Sequence, residues 1–122
     1  MPPAILVVDD NRLARQNIAG FLVRNGYAVT EAETGEHAIQ VIRDIDHFDV
    51  VITDLRMPGS INGLDVLEYQ AGVSPGRCAI LITAFGSDQI REQAEALGAV
   101  YMDKPIRLNQ LLERIQSYKP AV

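Results

Sequence analysis

The stretch AILVVDDNRLAR, residues 4–15, joins an apolar run to two adjacent carboxylates, Asp9 and Asp10, and then to a helical pattern. A short run of β-branched and aliphatic residues is typical of a strand buried on both faces of a parallel sheet. No basic residue inside the run pairs with the two carboxylates. Their charge must therefore be compensated from outside this run.

Short apolar runs and amphipathic helical patterns alternate along the rest of the chain. The predicted strands cover residues 4–9, 27–32, 49–54, 78–84 and 99–103, and the predicted helices cover residues 11–25, 35–45, 63–70, 87–97 and 107–118. Five strands alternating with five helices predict a doubly wound α/β fold with a parallel sheet, in the flavodoxin-like strand order 2-1-3-4-5. Helix 87–97 has the weakest apolar stripe, so we expect it to be the least firmly held.

Length and composition restrict the class of protein. The chain has 122 residues, of which 48% are hydrophobic and 22% charged, so we expect one domain over residues 1–122 with its core at about 4–118. No apolar run is long enough to span a membrane, and the lone Cys78 cannot form an intramolecular disulfide. We therefore expect a cytoplasmic protein without a membrane partner. The net charge of −5 argues against direct binding of nucleic acid.

Chemically distinctive residues collect where the predicted strands end. They are Asp9, Asp10, Asp54, Thr83 and Lys104. In such sheets, ligands bind at the carboxyl ends of the strands, at the switch point between strands 1 and 3. Three carboxylates within a few ångströms of one another repel each other, and Mg²⁺, or Mn²⁺ in its place, is the natural ion to compensate their charge. The set predicts a metal clamp (Asp9, Asp10), a carboxylate nucleophile (Asp54) and two groups that hold phosphoryl oxygens.

Each of the five residues also has an ordinary structural explanation. An aspartate after a strand often begins a helix, and a carboxylate before a Pro/Gly loop suits a turn. Threonine is a common strand residue, and a lysine before proline is usually solvated. Taken singly, these explanations are the stronger ones. The joint placement of all five on one rim of an independently inferred fold favours acyl-phosphate chemistry instead.

The chain resembles the receiver domain of two-component response regulators, the CheY-like superfamily, over essentially its whole length. The matching motifs are VVDDN after strand 1, DVVITDLRMPG around strand 3, ILITAFG at strand 4 and GAVYMDKPI across strand 5. Each motif is weak alone, but their order and spacing are specific. The loop MPGSINGLDVL is one residue longer than the usual form, which leaves its conformation and the start of the next helix open.

The resemblance implies that Asp54 accepts a phosphoryl group from a phosphohistidine on a sensor histidine kinase or a histidine phosphotransfer protein. It also implies a Mg²⁺ site formed by Asp9, Asp10, Asp54 and the backbone carbonyl of Arg56. Such a domain assists its own phosphorylation and dephosphorylation and is not a turnover enzyme.

The resemblance further implies a two-state switch. Thr83 would move to bind the phosphoryl group, and Tyr101 would turn inward. Lys104 would pair with the phosphoryl group, directed toward the site by a cis Lys104–Pro105 bond. The output surface would comprise helix 87–97, strand 5 and the last helix, acting on a downstream effector domain or protein. Homodimerisation on phosphorylation is left open.

Two further positions carry a hypothesis about the lifetime of the phosphorylated state. Arg56 lies two residues after the nucleophile, and Phe85 lies two residues after Thr83. Both side chains would crowd the path of an attacking water, so we expect a phosphorylated state that lasts longer than with small or acidic groups at these positions.

Three other classes of function fit the sequence less well. Phosphatases of the haloacid dehalogenase class need Asp-x-Asp after the first strand, but Asn11 and Arg12 stand two residues beyond Asp9 and Asp10. A flavodoxin-like cofactor carrier needs a phosphate loop there, where two aspartates would repel phosphate. A constitutive interaction module would not need all five site residues. The sequence does not distinguish a single-domain regulator or phosphate shuttle from part of a longer transcription factor or hybrid kinase.

Overall fold

The computed structural model describes residues 2–45 and 48–118; the remaining positions of the predicted domain lie outside the described residues. The elements in chain order are β1 (Ala4–Val8), α1 (Arg12–Arg24), β2 (Ala28–Ala32), α2 (Gly35–Ile45), β3 (Val50–Asp54), α3 (Gly63–Val73), β4 (Cys78–Thr83), α4 (Asp88–Ala96), β5 (Val100–Asp103) and α5 (Leu108–Ser117). All strand pairings are parallel, in the order β2-β1-β3-β4-β5. The predicted flavodoxin-like fold and strand order are confirmed.

The sheet is buried on both faces, which explains why its central strands are continuous apolar runs. Alternate side chains of each strand point to opposite faces. One face packs against α1 and α5, whose buried residues include Ile18, Leu22, Leu111 and Ile115. The other face packs against α2, α3 and α4, whose buried residues include Ala38, Ile42, Val66, Leu67 and Ala94. Within α4, Ala94 alone is buried, in agreement with the weak apolar stripe of that helix.

The largest difference from the predicted boundaries lies at the end of α3. The sequence pattern places that end near Gln70, whereas the helix continues to Val73. Gly72 weakens the helical pattern because glycine has a low helix propensity, but it does not prevent helical backbone. The helix ends where Ser74 precedes Pro75, because the residue before a proline is disfavoured in the helical region.

The start of α3 is at Gly63, as predicted, so the longer loop does not displace it. A capping box fixes this start. The Asn62 side chain accepts a hydrogen bond from the Asp65 backbone N–H, and the Asp65 carboxylate accepts one from the Asn62 backbone N–H. Two otherwise unpaired donors at the helix terminus are thereby satisfied.

No helix in the described part of the chain combines the length and the apolar character that crossing a bilayer requires.

Candidate functional site

The parallel topology brings the predicted site residues to one rim of the sheet. Asp9 directly follows β1, Asp54 ends β3, Thr83 ends β4 and Lys104 directly follows β5. The last two are also linked through the backbone, because the Lys104 N–H donates to the Thr83 carbonyl at 3.0 Å. The rim lies at the carboxyl ends of the strands, where sheets of this kind bind ligands.

Three carboxylates form a compact acidic cluster at this rim. One oxygen each of Asp9, Asp10 and Asp54 lies within 4.8 Å of the others. Asp9 is only 3% exposed, whereas Asp10 is exposed to solvent. Oxygen donors at this separation suit a hard divalent cation such as Mg²⁺ or Ca²⁺, and the exposed carboxylate leaves the cluster accessible from solvent.

Lys104 supplies the cation that compensates this cluster. Its Nζ donates to Asp54 Oδ2 at 2.9 Å and to Asp9 Oδ2 at 3.3 Å. Burial raises the pKa of Asp54, and the opposing effect of Lys104 does not cancel that rise. Burial alone would lower the pKa of Lys104, but the hydrogen bond and charge of Asp54, reinforced by Asp9, raise it. The Lys104–Pro105 peptide bond is cis, as the resemblance implied.

Backbone groups fix the orientation of two carboxylates. Asp9 Oδ1 accepts from the Asn11 N–H at 2.9 Å, and Asp54 Oδ1 accepts from the Leu55 N–H at 2.7 Å. Gly63, at the start of α3, closes the loop behind Asp54 because its N–H donates to the Leu55 carbonyl at 2.9 Å. A Cβ atom at Gly63 would overlap the Asp54 carbonyl oxygen. This position therefore requires glycine for its close approach to the backbone of β3.

Thr83, Phe85 and Arg56 form a connected group beside the acidic cluster. Thr83 is fully buried, and its Oγ1 accepts from the Phe85 N–H at 2.9 Å. The Arg56 guanidinium lies over the Phe85 ring, 4.4 Å from its centroid. This cation–π contact joins the loops that follow the adjacent strands β3 and β4.

Tyr101 of β5 is half-buried and directed toward the loop after β4. Its hydroxyl donates to Asp103 Oδ1 at 3.0 Å, and the Arg91 guanidinium lies 4.8 Å from its ring centroid. Burial and the Asp103 carboxylate raise the pKa of Tyr101. A Cβ atom at Gly86 would overlap the tyrosine hydroxyl, so this position of the ring depends on a glycine in the facing loop.

Two residues of the site were not identified from the sequence. The sequence pattern identifies Gly63 only as the start of a helix and assigns no role to Arg15. Arg15 is 5% exposed and lies on the buried stripe of α1 with Ile18 and Leu22, at helical spacing. A charged residue on an otherwise apolar helix face is the sequence signal that could have identified Arg15.

A doubly wound sheet with an acidic cluster and a lysine at its switch point defines a class of site, and similarity to known proteins identifies the family. The family model described as the response regulator receiver domain matches residues 5–116. Response regulator MprA from Mycolicibacterium vanbaalenii is 34% identical over 120 residues, which is 96% of this chain and 50% of that protein. The chain belongs to the response regulator receiver domain family of two-component systems. Members of this family are signalling switches and not classical enzymes.

Solved structures show the same architecture. A CheY-like receiver domain protein from Methanospirillum hungatei has a TM-score of 0.89 at 27% identity, covering 95% of this chain and 92% of that one. A response regulator protein from Burkholderia pseudomallei, solved with a phosphorylated aspartic acid, calcium ion and citrate, has a TM-score of 0.85 at 28% identity, covering 94% and 67%. The chain spans about half the length of the curated relatives it matches.

Proposed function

We propose that this domain is a phosphorylation-dependent switch in which Asp54 accepts a phosphoryl group from a histidine kinase or a histidine phosphotransfer protein. The observation that carries the proposal is the position of Asp54, which accepts a hydrogen bond from Lys104 and lies within 4.8 Å of the carboxylates of Asp9 and Asp10. Lys104 and a cation held by this cluster would both supply positive charge to a phosphoryl group on Asp54.

In the proposed reaction, a carboxylate oxygen of Asp54 attacks the phosphorus of the donor phosphohistidine. The O–P bond forms while the P–N bond breaks, and the electron pair of the P–N bond leaves with the ring nitrogen. Imidazole departs neutral, because its other nitrogen carries a proton. Water later hydrolyses the acyl phosphate to inorganic phosphate and the Asp54 carboxylate. In both steps Lys104 would neutralise charge on the phosphoryl oxygens.

Mg²⁺, or Mn²⁺ in its place, would be held by the carboxylates of Asp9, Asp10 and Asp54 and by the backbone carbonyl of Arg56. The donor set supports this assignment, because three carboxylate oxygens lie within 4.8 Å of one another. When bound, the cation supplies positive charge against the phosphoryl oxygens. The Burkholderia pseudomallei relative, solved with a phosphorylated aspartic acid and a calcium ion, supports this chemistry within the family.

Switching would begin at Thr83. Its Oγ1 accepts from the Phe85 N–H here, which leaves the hydroxyl proton available to donate to a phosphoryl oxygen. Movement of Thr83 toward Asp54 would release the loop after β4 and open space for Tyr101 to turn inward. The surface formed by α4, β5 and α5 would change as a result and control a downstream effector domain or protein.

The direct test is phosphorylation by a small phosphoramidate donor in the presence of Mg²⁺. We expect the wild type to gain one phosphoryl group, detected by intact-protein mass spectrometry, and Asp54→Ala to gain none because the attacking carboxylate is absent. Asp44→Ala is the matched control, since Asp44 is an exposed aspartate near the end of α2, and it should label like the wild type. Labelling that persists in Asp54→Ala would contradict the proposal.

The contact between Arg56 and Phe85 supports the expected long lifetime of phosphorylated Asp54. Replacing the pair with Arg56→Asn and Phe85→Glu removes the stacked side chains and admits water to the acyl phosphate. We expect hydrolysis to accelerate about tenfold, equivalent to about 1.4 kcal/mol of activation free energy. The measurement is the decay of phosphoprotein after the donor is removed.

A double variant with the same change of charge controls for electrostatic effects. Arg43→Asn with Gln40→Glu makes that change on exposed positions of α2, and its decay rate should match the wild type. The lifetime hypothesis fails when the Arg56/Phe85 variant decays no faster than this control.

A further inference from the structure

Arg15, in the first turns of α1, is a buried cation immediately beside the acidic cluster. It is 5% exposed, and its guanidinium has three partners. Nη1 donates to the backbone carbonyl of Asp9 at 2.9 Å, and Nε donates to Glu31 Oε1 at 2.8 Å. Nη2 lies 3.6 Å from Glu33 Oε1. The side chain therefore links the end of β1 to β2 and the residues just after it.

The carbonyl that accepts from Arg15 belongs to the peptide group between Asp9 and Asp10. The same segment is held elsewhere, because the Asp9 N–H donates to the Ala32 carbonyl at 3.1 Å and Asp9 Oδ1 accepts from the Asn11 N–H. The contact of Arg15 completes this set by fixing the plane of the peptide that follows Asp9. The direction of that plane determines where the next carboxylate, that of Asp10, leaves the chain.

Stability alone gives a poor account of this arginine. A guanidinium always carries its charge, and moving it out of water has a large desolvation cost that its partners must offset. A buried ion pair as a whole can often be replaced by apolar side chains of similar volume without loss of stability. The side chains of Glu31 and Glu33 are 39% and 71% exposed, so an apolar residue in place of Arg15 would leave no buried carboxylate unpaired. The other buried residues of α1, Ile18, Ala19 and Leu22, are apolar. The charge of Arg15 is therefore better explained by the backbone geometry that the side chain imposes than by its contribution to stability.

The two cations of the site contact different groups. Lys104 binds carboxylate oxygens of Asp9 and Asp54 directly and so competes with a metal ion for them. Arg15 binds the Asp9 main chain and leaves both oxygens of the Asp9 carboxylate to other partners. Its remaining donors go to Glu31 and Glu33, which keep the guanidinium in place.

We propose that Arg15 is a positioning residue for the cation site, held by Glu31 and orienting the Asp9–Asp10 peptide so that both carboxylates face the cation together. This inference rests on the proposed function. Groups that orient metal ligands without touching the metal typically change metal affinity by about tenfold to a hundredfold.

The test measures the Kd of Mg²⁺ by isothermal titration calorimetry, and urea denaturation in EDTA, for the wild type, Arg15→Met and Arg15→Lys. Arg15→Met keeps the volume and should weaken Mg²⁺ binding by about tenfold or more, with only a slight change in the denaturation midpoint. Arg15→Lys keeps the charge but lacks the planar fork that reaches the Asp9 carbonyl and Glu31 together. It should bind Mg²⁺ as weakly as Arg15→Met.

A second pair of variants tests the same idea without removing the buried arginine. Glu31→Gln and Glu33→Gln each remove one negative charge from the same edge, so their long-range effects on cation binding are matched. Of the two glutamates, only Glu31 lies at hydrogen-bond distance from Arg15, at 2.8 Å against 3.6 Å for Glu33. We expect Glu31→Gln to weaken Mg²⁺ binding severalfold more than Glu33→Gln.

Three results would overturn the inference: wild-type affinity in Arg15→Met, recovery of affinity in Arg15→Lys, or equal effects of the two glutamate variants. Failure of the wild type to bind Mg²⁺ would instead overturn the metal site of the proposed function. The two failures are therefore distinguishable in one set of titrations.

Discussion

Addition of Mg²⁺ should raise the melting temperature of this domain, and Asp10→Ala should abolish most of the gain. Asp9, Asp10 and Asp54 repel one another at a separation of 4.8 Å or less, and of these three carboxylates Lys104 Nζ binds those of Asp9 and Asp54. A cation that binds only the folded state relieves this repulsion. At a free concentration a hundredfold above Kd it adds about 2.7 kcal/mol of stability, which corresponds to a shift on the order of 10 °C.

The measurement is thermal unfolding monitored by circular dichroism, in the presence of either the chloride salt of Mg²⁺ or EDTA. Asp10 is exposed, so Asp10→Ala removes a ligand with little loss of packing. In EDTA this variant should melt no lower than the wild type, since one of the mutually repelling charges is gone. Asp44→Ala serves as the control and should keep the full gain. Equal gains in Asp10→Ala and the wild type would exclude a role for Asp10 in the cation site.

Gly63→Ala should destabilise the fold by about 3 kcal/mol, at the upper end of the usual cost of overpacking. A Cβ atom at this position would overlap the Asp54 carbonyl oxygen and lie 3.0 Å from the Leu81 side chain. The Asp54 carbonyl belongs to the backbone of β3 and cannot move without disturbing that strand, and the Leu81 side chain is fully buried. The strain should also displace Asp54 itself and slow its phosphorylation.

Gly72→Ala provides a matched control within the same helix. A Cβ atom at Gly72 would have no neighbour within 4 Å, and the position is exposed. Alanine has the better helix propensity, so this variant should be more stable than the wild type by about 0.5–1 kcal/mol. Urea denaturation measures both changes. A Gly63→Ala protein as stable as Gly72→Ala would show that the loop after β3 can shift freely.

The fold was predictable because its physical signals are local and repeated. Apolar runs such as residues 4–8 are too short for helices and too continuous for a half-exposed strand, so they indicate a parallel sheet with both faces covered. The right-handedness of the crossover connections and the number of strands then leave few possible topologies. The end of α3 was less predictable, because Gly72 weakens a helical pattern without determining where the backbone turns.

The acidic cluster was predictable for a different reason. Asp9 and Asp54 are far apart in sequence, but each ends a predicted parallel strand, and the topology alone brings them to one edge. The contact of Arg56 with Phe85 could not be predicted in this way, since it joins the side chains of two loops. The same applies to Arg15, whose partners just after β1 and on β2 become apparent only when the helix is docked on the sheet.

The sparse anchoring of α4, with Ala94 as its one buried residue, has a thermodynamic consequence. An element held by few contacts needs little free energy to change its population between two arrangements. Under the proposed function, a partner that prefers the phosphorylated arrangement of this helix must shift the equilibrium of phosphoryl transfer to Asp54 by the same coupling free energy, because thermodynamic linkage is reciprocal. Information would then pass in both directions, and the abundance of the downstream partner would help to set how much of the domain is phosphorylated.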